Sequence, residues 1–63
     1  MDRLILVGDV WQTGDGMLWF AYTRVGHVLL WNERGVQEVV AVFNKAHPEA
    51  RRILCKKDIE GEN

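Results

Sequence analysis

Apolar residues crowd the first third of the chain in two blocks, separated once by a turn. The first block runs Leu4-Ile5-Leu6-Val7-Gly8-Asp9-Val10-Trp11. The second runs Met17-Leu18-Trp19-Phe20-Ala21-Tyr22. Between them lies Thr13-Gly14-Asp15-Gly16, whose residues tolerate the positive φ angles that tight hairpin turns require. β-Branched and aromatic residues dominate both blocks, as strands prefer. The pattern predicts a hairpin with strands over residues 3–12 and 17–24.

Side chains alternate between the two faces of a strand. In the first strand, Leu4, Leu6, Gly8 and Val10 share one face and Ile5, Val7, Asp9 and Trp11 the other. In the second, Met17, Trp19, Ala21 and Thr23 oppose Leu18, Phe20, Tyr22 and Arg24. Neither strand has a clean polar face, and Asp9 is the odd polar group among its neighbours. Pairing with Arg24 across the hairpin, or a bulge beside Gly8, accounts for it.

Val25-Gly26-His27 reads as a bend or bulge with His27 in a loop, and Val28-Leu29-Leu30-Trp31 as a short third strand in preference to an apolar lead-in to the helix. Asn32 is a suitable N-cap, with Glu33 in the first turn after it. Val36, Val39, Val40 and Phe43 then fall at i, i+3, i+4 and i+7, one helical stripe. Ala46-His47-Pro48 ends that helix, because a residue before proline avoids helical geometry. His47 at its end is placed to satisfy the last carbonyls. Residues 51–59 form the last strand, with Ile53, Cys55 and Ile59 on its apolar face, and residues 61–63 fray. The order β-β-(β)-α-β gives one α+β domain over residues 1–63, a small antiparallel sheet of three to four strands with one helix on one face. A four-residue stripe covers one side of the hairpin and leaves the other without an internal partner.

Composition narrows what holds such a domain together. Sixty-three residues bury only about 60% of the unfolded chain's surface, so small domains usually add a disulfide, a metal or a subunit. Cys55 is the single cysteine, which rules out an internal disulfide. Cys55, His27 and His47 lack the spacing of a zinc site, and no cofactor is expected. Cys55 reads as a small buried residue rather than a nucleophile. Self-association, or packing of a set that is 48% hydrophobic with three Trp, remains.

The net charge of −1 gives no overall field toward nucleic acid or membrane. No apolar run approaches the ~20 residues of a membrane span, and Asp2, Gly8 and Asp9 spoil a signal peptide. A lone cysteine and no export signal point to the cytoplasm. The exception to the even charge is a basic segment with Lys45, Arg51, Arg52, Lys56 and Lys57 against Glu49 alone.

A core this small has room for about two large aromatics, so at least one of Trp11, Trp19 and Trp31 is expected on an exposed patch. Trp11 and Trp19 flank the turn closely enough to pair across the strands. No catalytic constellation is present in the sequence, and Gly14 and Gly16 lack the context of a phosphate loop. The expectation is a non-enzymatic protein-binding module with Trp11, Trp19 and Tyr22 as anchors and Arg51 and Arg52 on the rim. Two alternatives stand beside it. One is a single-stranded nucleic-acid binder that uses the sheet aromatics and the basic segment at residues 45–57. The other is an antitoxin-like homodimer.

Element order, size and the aromatic sheet resemble a broad group of small ββαβ domains. Among these are phage-encoded inhibitors that disable a host enzyme and the sheet-and-helix antitoxins of toxin–antitoxin pairs. The resemblance implies a protein partner and, for the first kind, inhibition.

Overall fold

A computed structural model of the protein describes residues 3–55. The strands are β1 (Val10–Gln12), β2 (Leu18–Arg24), β3 (His27–Asn32), β4 (Gln37–Val39) and β5 (Arg51–Leu54), and one helix, α1 (Val40–Ala46), precedes β5. All pair antiparallel in one sheet of order β4-β3-β2-β1-β5. The expected α+β class holds, with five strands in place of three or four.

β4 and β5 lie at opposite edges, so the chain must cross the sheet between them. α1 and the loop after it make that crossing over one face, called inner below. Among the described residues, no helix is long and apolar enough to cross a membrane.

The first strand is shorter than its apolar run. Asp9 N–H donates to Leu6 O at 3.0 Å, closing a turn in which Gly8 has φ 94°. That φ is one a side-chain-bearing residue resists. Regular pairing therefore starts at Val10 rather than at residue 3. Before it Gly8 and Asp9 both face Ala21, with Gly8 N–H donating to Ala21 O at 2.8 Å and Ala21 N–H to Asp9 O at 2.9 Å, the expected irregularity beside Gly8.

A larger departure lies at residues 32–39. Asn32 does not cap a helix; it ends β3. Its side-chain Oδ1 accepts from Arg34 N–H at 2.9 Å and Val36 N–H at 3.0 Å. Gly35 follows with φ 85° and donates to Asn32 O at 3.0 Å. Asn is as good at fixing such a side-chain turn as at capping a helix. The turn sends residues 37–39 back along β3, pairing Gln37 with Trp31 and Val39 with Leu29. Val36 and Val39 are accordingly exposed. Only Val40 and Phe43 of the predicted stripe lie on α1, which starts without a side-chain cap.

The third strand is present, and it is joined to β2 by the shortest kind of hairpin. Val25 (φ 50°) and Gly26 (φ 79°) both take positive φ, as right-twisted two-residue hairpins require. Val25 is the strained member, since a β-branched residue there costs roughly 1–3 kcal/mol. The last strand forms over Arg51–Leu54, with a register shift opposite Val10 and Trp11. Its expected continuation to residue 59 lies outside the described residues beyond Cys55.

The core is Ile5, Trp11, Trp19, Ala21, Leu30, Phe43 and Ala50. Phe43 is its centre. It meets Trp11 edge-on at 6.3 Å and Trp19 at 5.2 Å, ring centre to ring centre.

Candidate functional site

Register and alternation sort the strand side chains into two faces. The inner face carries the row Arg52–Trp11–Trp19–Asn32 from β5 to β3, and the row Ala21–Leu30–Glu38 from β2 to β4. The outer face carries Leu54–Val10–Phe20–Trp31–Gln37 across the whole sheet, flanked by Tyr22–Leu29–Val39. α1 lies on the inner side only.

The charged groups Asp9, Arg52 and Arg3 on the inner side are closely partnered. Asp9 is fully buried; its carboxylate accepts from Leu6 N–H at 2.8 Å and pairs with Arg52 Nε at 3.1 Å. The partner is Arg52, not Arg24. Arg52 also donates to Leu4 O and stacks over Trp11 at 5.1 Å. Arg3 lies over Trp11 as well, at 5.0 Å. The same guanidinium donates to Asn44 Oδ1 at 2.9 Å, and to the carbonyls of Ala50 and His47 at 2.6 Å each. Arg3, rather than the His47 side chain, satisfies the carbonyls at the end of α1. Among the described residues, two buried polar atoms, Trp11 Nε1 and Glu38 Oε1, have no hydrogen-bond partner. Glu38 Oε1 does lie 3.9 Å from His47 Nε2.

The 13–16 turn is docked onto the loop after α1. Thr13 Oγ1 donates to Asp15 Oδ1 at 2.6 Å and Met17 N–H to the same oxygen at 3.0 Å, and these bonds hold the Asp15 carboxyl below its ordinary 3.8. Gly14 N–H donates to Glu49 Oε2 at 2.9 Å and holds that carboxyl below 4.5. Gly14 and Asp15 are thereby accounted for by the turn and its docking.

The expected anchors separate. Trp11 and Trp19 do pair across the hairpin, as expected. They are nevertheless core, at 4% and 5% exposure, because α1 covers their side of the sheet. They are unavailable as contact anchors in this fold. Arg52 is likewise held on the inner side by Asp9 and Trp11, and is not a rim residue. Tyr22 and Arg51 lie on the outer side, Arg51 opposite Gln12. Lys56 and Lys57 of the basic segment fall outside the described residues; of its described members Lys45, Arg51 and Arg52, Arg52 is engaged by Asp9. Cys55 is half-buried, short of the buried position expected, and has no disulfide partner.

Sequence reasoning missed Phe20 and Trp31 as a pair. They are direct cross-strand neighbours on the outer face and are 44% and 45% exposed. With Tyr22 and Gln37 they line an open recess of ≈ 370 Å³. Leu18, Val39 and Leu54 are exposed around it. Arg24 Nη1 donates to Gln37 Oε1 at 3.2 Å, which sets a guanidinium on the rim of the recess. The signal in the sequence was the alternation itself, which places Phe20 and Tyr22 opposite Trp19. What it lacked was the side on which the helix lands. Among the described residues, no group of three or more His, Cys, Asp or Glu side chains is arranged to hold a metal ion.

Comparison with known proteins finds no matching family model, no similar curated protein and no similar solved structure, so the candidate site rests on its own geometry.

Proposed function

We propose that this protein is a non-enzymatic protein-binding module whose contact surface is the outer face of the sheet. One observation carries the reading: an apolar row, Leu54–Val10–Phe20–Trp31, crosses the sheet on the face opposite its helix, with Phe20 and Trp31 nearly half exposed. Contiguous apolar patches of this kind usually mark interaction sites. Tyr22 remains an anchor, Phe20 and Trp31 replace Trp11 and Trp19, and Arg51 stays on the rim. Inhibition of a partner enzyme is the finer form of this reading, and it would be measured in that partner's own assay.

The test is affinity capture from cells with the protein and its Phe20→Ser/Trp31→Ser double variant. The variant should keep the parent's far-UV spectrum and lose the captured partner. Retention of every captured protein by the folded variant would refute the reading.

Single-stranded nucleic acid is the second reading, favoured by the clustering of Phe20, Tyr22 and Trp31 near Arg24. The aliphatic surround of Val10, Leu18, Leu29, Val39 and Leu54 favours protein over bases. Binding of an oligonucleotide that weakens steeply with salt would reverse that preference.

A further inference from the structure

We infer that the outer recess receives an acidic, amphipathic segment of a partner protein, which inserts one large apolar side chain between Phe20 and Trp31 and sets a carboxylate against Arg24. This rests on the protein-binding reading and names the chemistry of the partner.

The inner face is the precedent. There the sheet presents an aromatic cross-strand pair, Trp11 opposite Trp19. It is covered by the seven-residue α1, which supplies a single aromatic knob, Phe43. The outer face repeats the pair one strand over, with Phe20 opposite Trp31. It presents an open recess where a knob would sit. A short helix or loop bearing one Leu, Phe or Met is the same kind of cover.

Charge selects among apolar segments. The outer-face positions of the five strands hold Arg24, His27 and Arg51 and, among the described residues, no Asp or Glu. The described carboxylates are instead buried (Asp9), on the inner face (Glu38), or in turns and loops (Asp15, Glu33, Glu49). Arg24 is already oriented by Gln37 on the rim of the recess. A guanidinium beside an apolar pocket is a fork for a carboxylate.

Charge counts against a second copy, and area limits any partner on this face to a small contact. Strands of three to seven residues give the face a footprint of roughly 400 Å² at ~4.8 Å spacing and ~3.4 Å rise. A stable partner usually buries about 800 Å² on each side. Two copies face to face would bring two arginine-bearing faces together, with no Asp or Glu on either among the described residues. A helix ~10 Å across fits the strip over β2 and β3.

Trp31 is exposed while Trp11 and Trp19 are buried, so indole fluorescence reports on this site. The probes are a Glu/Ala-rich helical peptide with one Leu-Phe stripe, the same peptide with Lys for Glu, and an oligothymidylate. Each is titrated at low salt to ~1 mM, the weak end of recognition, and the protein alone is sedimented at several concentrations. The acidic peptide should bind saturably, and Arg24→Glu should weaken it by about ten-fold or more, the weight of one charge-assisted contact. Arg24→Glu should also improve binding of the Lys peptide. Equal or tighter binding of the Lys peptide to the parent protein would overturn the acidic partner and leave the protein-binding reading standing. So would a dimer abolished by Trp31→Lys. Failure of both peptides at ~1 mM, with oligothymidylate bound, would overturn both readings. Failure of the acidic peptide alone overturns the inference.

Discussion

The two faces of this sheet start from similar material and end differently. Each presents an aromatic pair across neighbouring strands, Trp11 with Trp19 on one side and Phe20 with Trp31 on the other. The inner pair is sealed by Phe43, and its edge is closed by Arg3, Arg52 and the buried Asp9. The outer pair has an open recess and an arginine held by a glutamine. Aromatic content therefore does not distinguish core from surface here. What distinguishes them is which side α1 crosses.

The largest expected effect separates the two aromatic sets. Phe43→Ala should cost about 3–5 kcal/mol, a large share of the stability of a domain this size. Phe20→Ala should stay within about 1 kcal/mol, because it removes a half-exposed ring. Urea midpoints measure both, and similar losses would erase the distinction between the faces.

Next come the charges. Asp9→Ala leaves the Arg52 guanidinium and the Leu6 N–H without their buried acceptor, at a cost of about 3 kcal/mol. Arg24→Ala, at the exposed rim, should change stability by no more than about 0.5 kcal/mol. Thermal unfolding of the two variants side by side gives the contrast.

The smallest effect concerns acid. The Asp15 and Glu49 carboxyls are held low in the folded protein by Thr13 and Met17, and by Gly14. Their bonds thus stabilise the fold at pH values above the ordinary carboxyl range. That contribution is lost as pH falls through the depressed folded values. Urea midpoints should decline on acidification below about pH 4, and the decline should be shallower in Asp15→Asn/Glu49→Gln. An unchanged slope would mean that docking of the turn does not contribute to holding the inner cover in place.

Much of the sheet was legible in the sequence. Turn chemistry placed the 13–16 hairpin, and alternation put Trp19 and Ala21 opposite Phe20 and Tyr22, as found. Two things were not legible. Residues 36–43 satisfy a helical stripe, yet a hairpin through Gly35 claims the first half of it, and Asn32 serves either outcome. The side of the sheet that α1 covers is also absent from a pattern apolar on both faces. It is set by long-range contacts, Phe43 on Trp11 and Trp19 and Arg3 on Asn44, His47 and Ala50 among them, that no local spacing records. For that reason the exposed tryptophan is Trp31, while Trp11 and Trp19 are inside.

Arg3 has a consequence for how the chain is made. Its guanidinium reaches the carbonyls of His47 and Ala50, 44 and 47 residues further on. During synthesis Trp11 and Trp19 are produced early, but their cover and the clasp that fastens it come at the far end of the described chain. Local hairpins can form as they emerge, whereas closure of the core waits on a contact of nearly maximal sequence separation. Until residue 50 is available the cover over Trp11 and Trp19 lacks its Arg3 clasp, so the inner pair is fastened last.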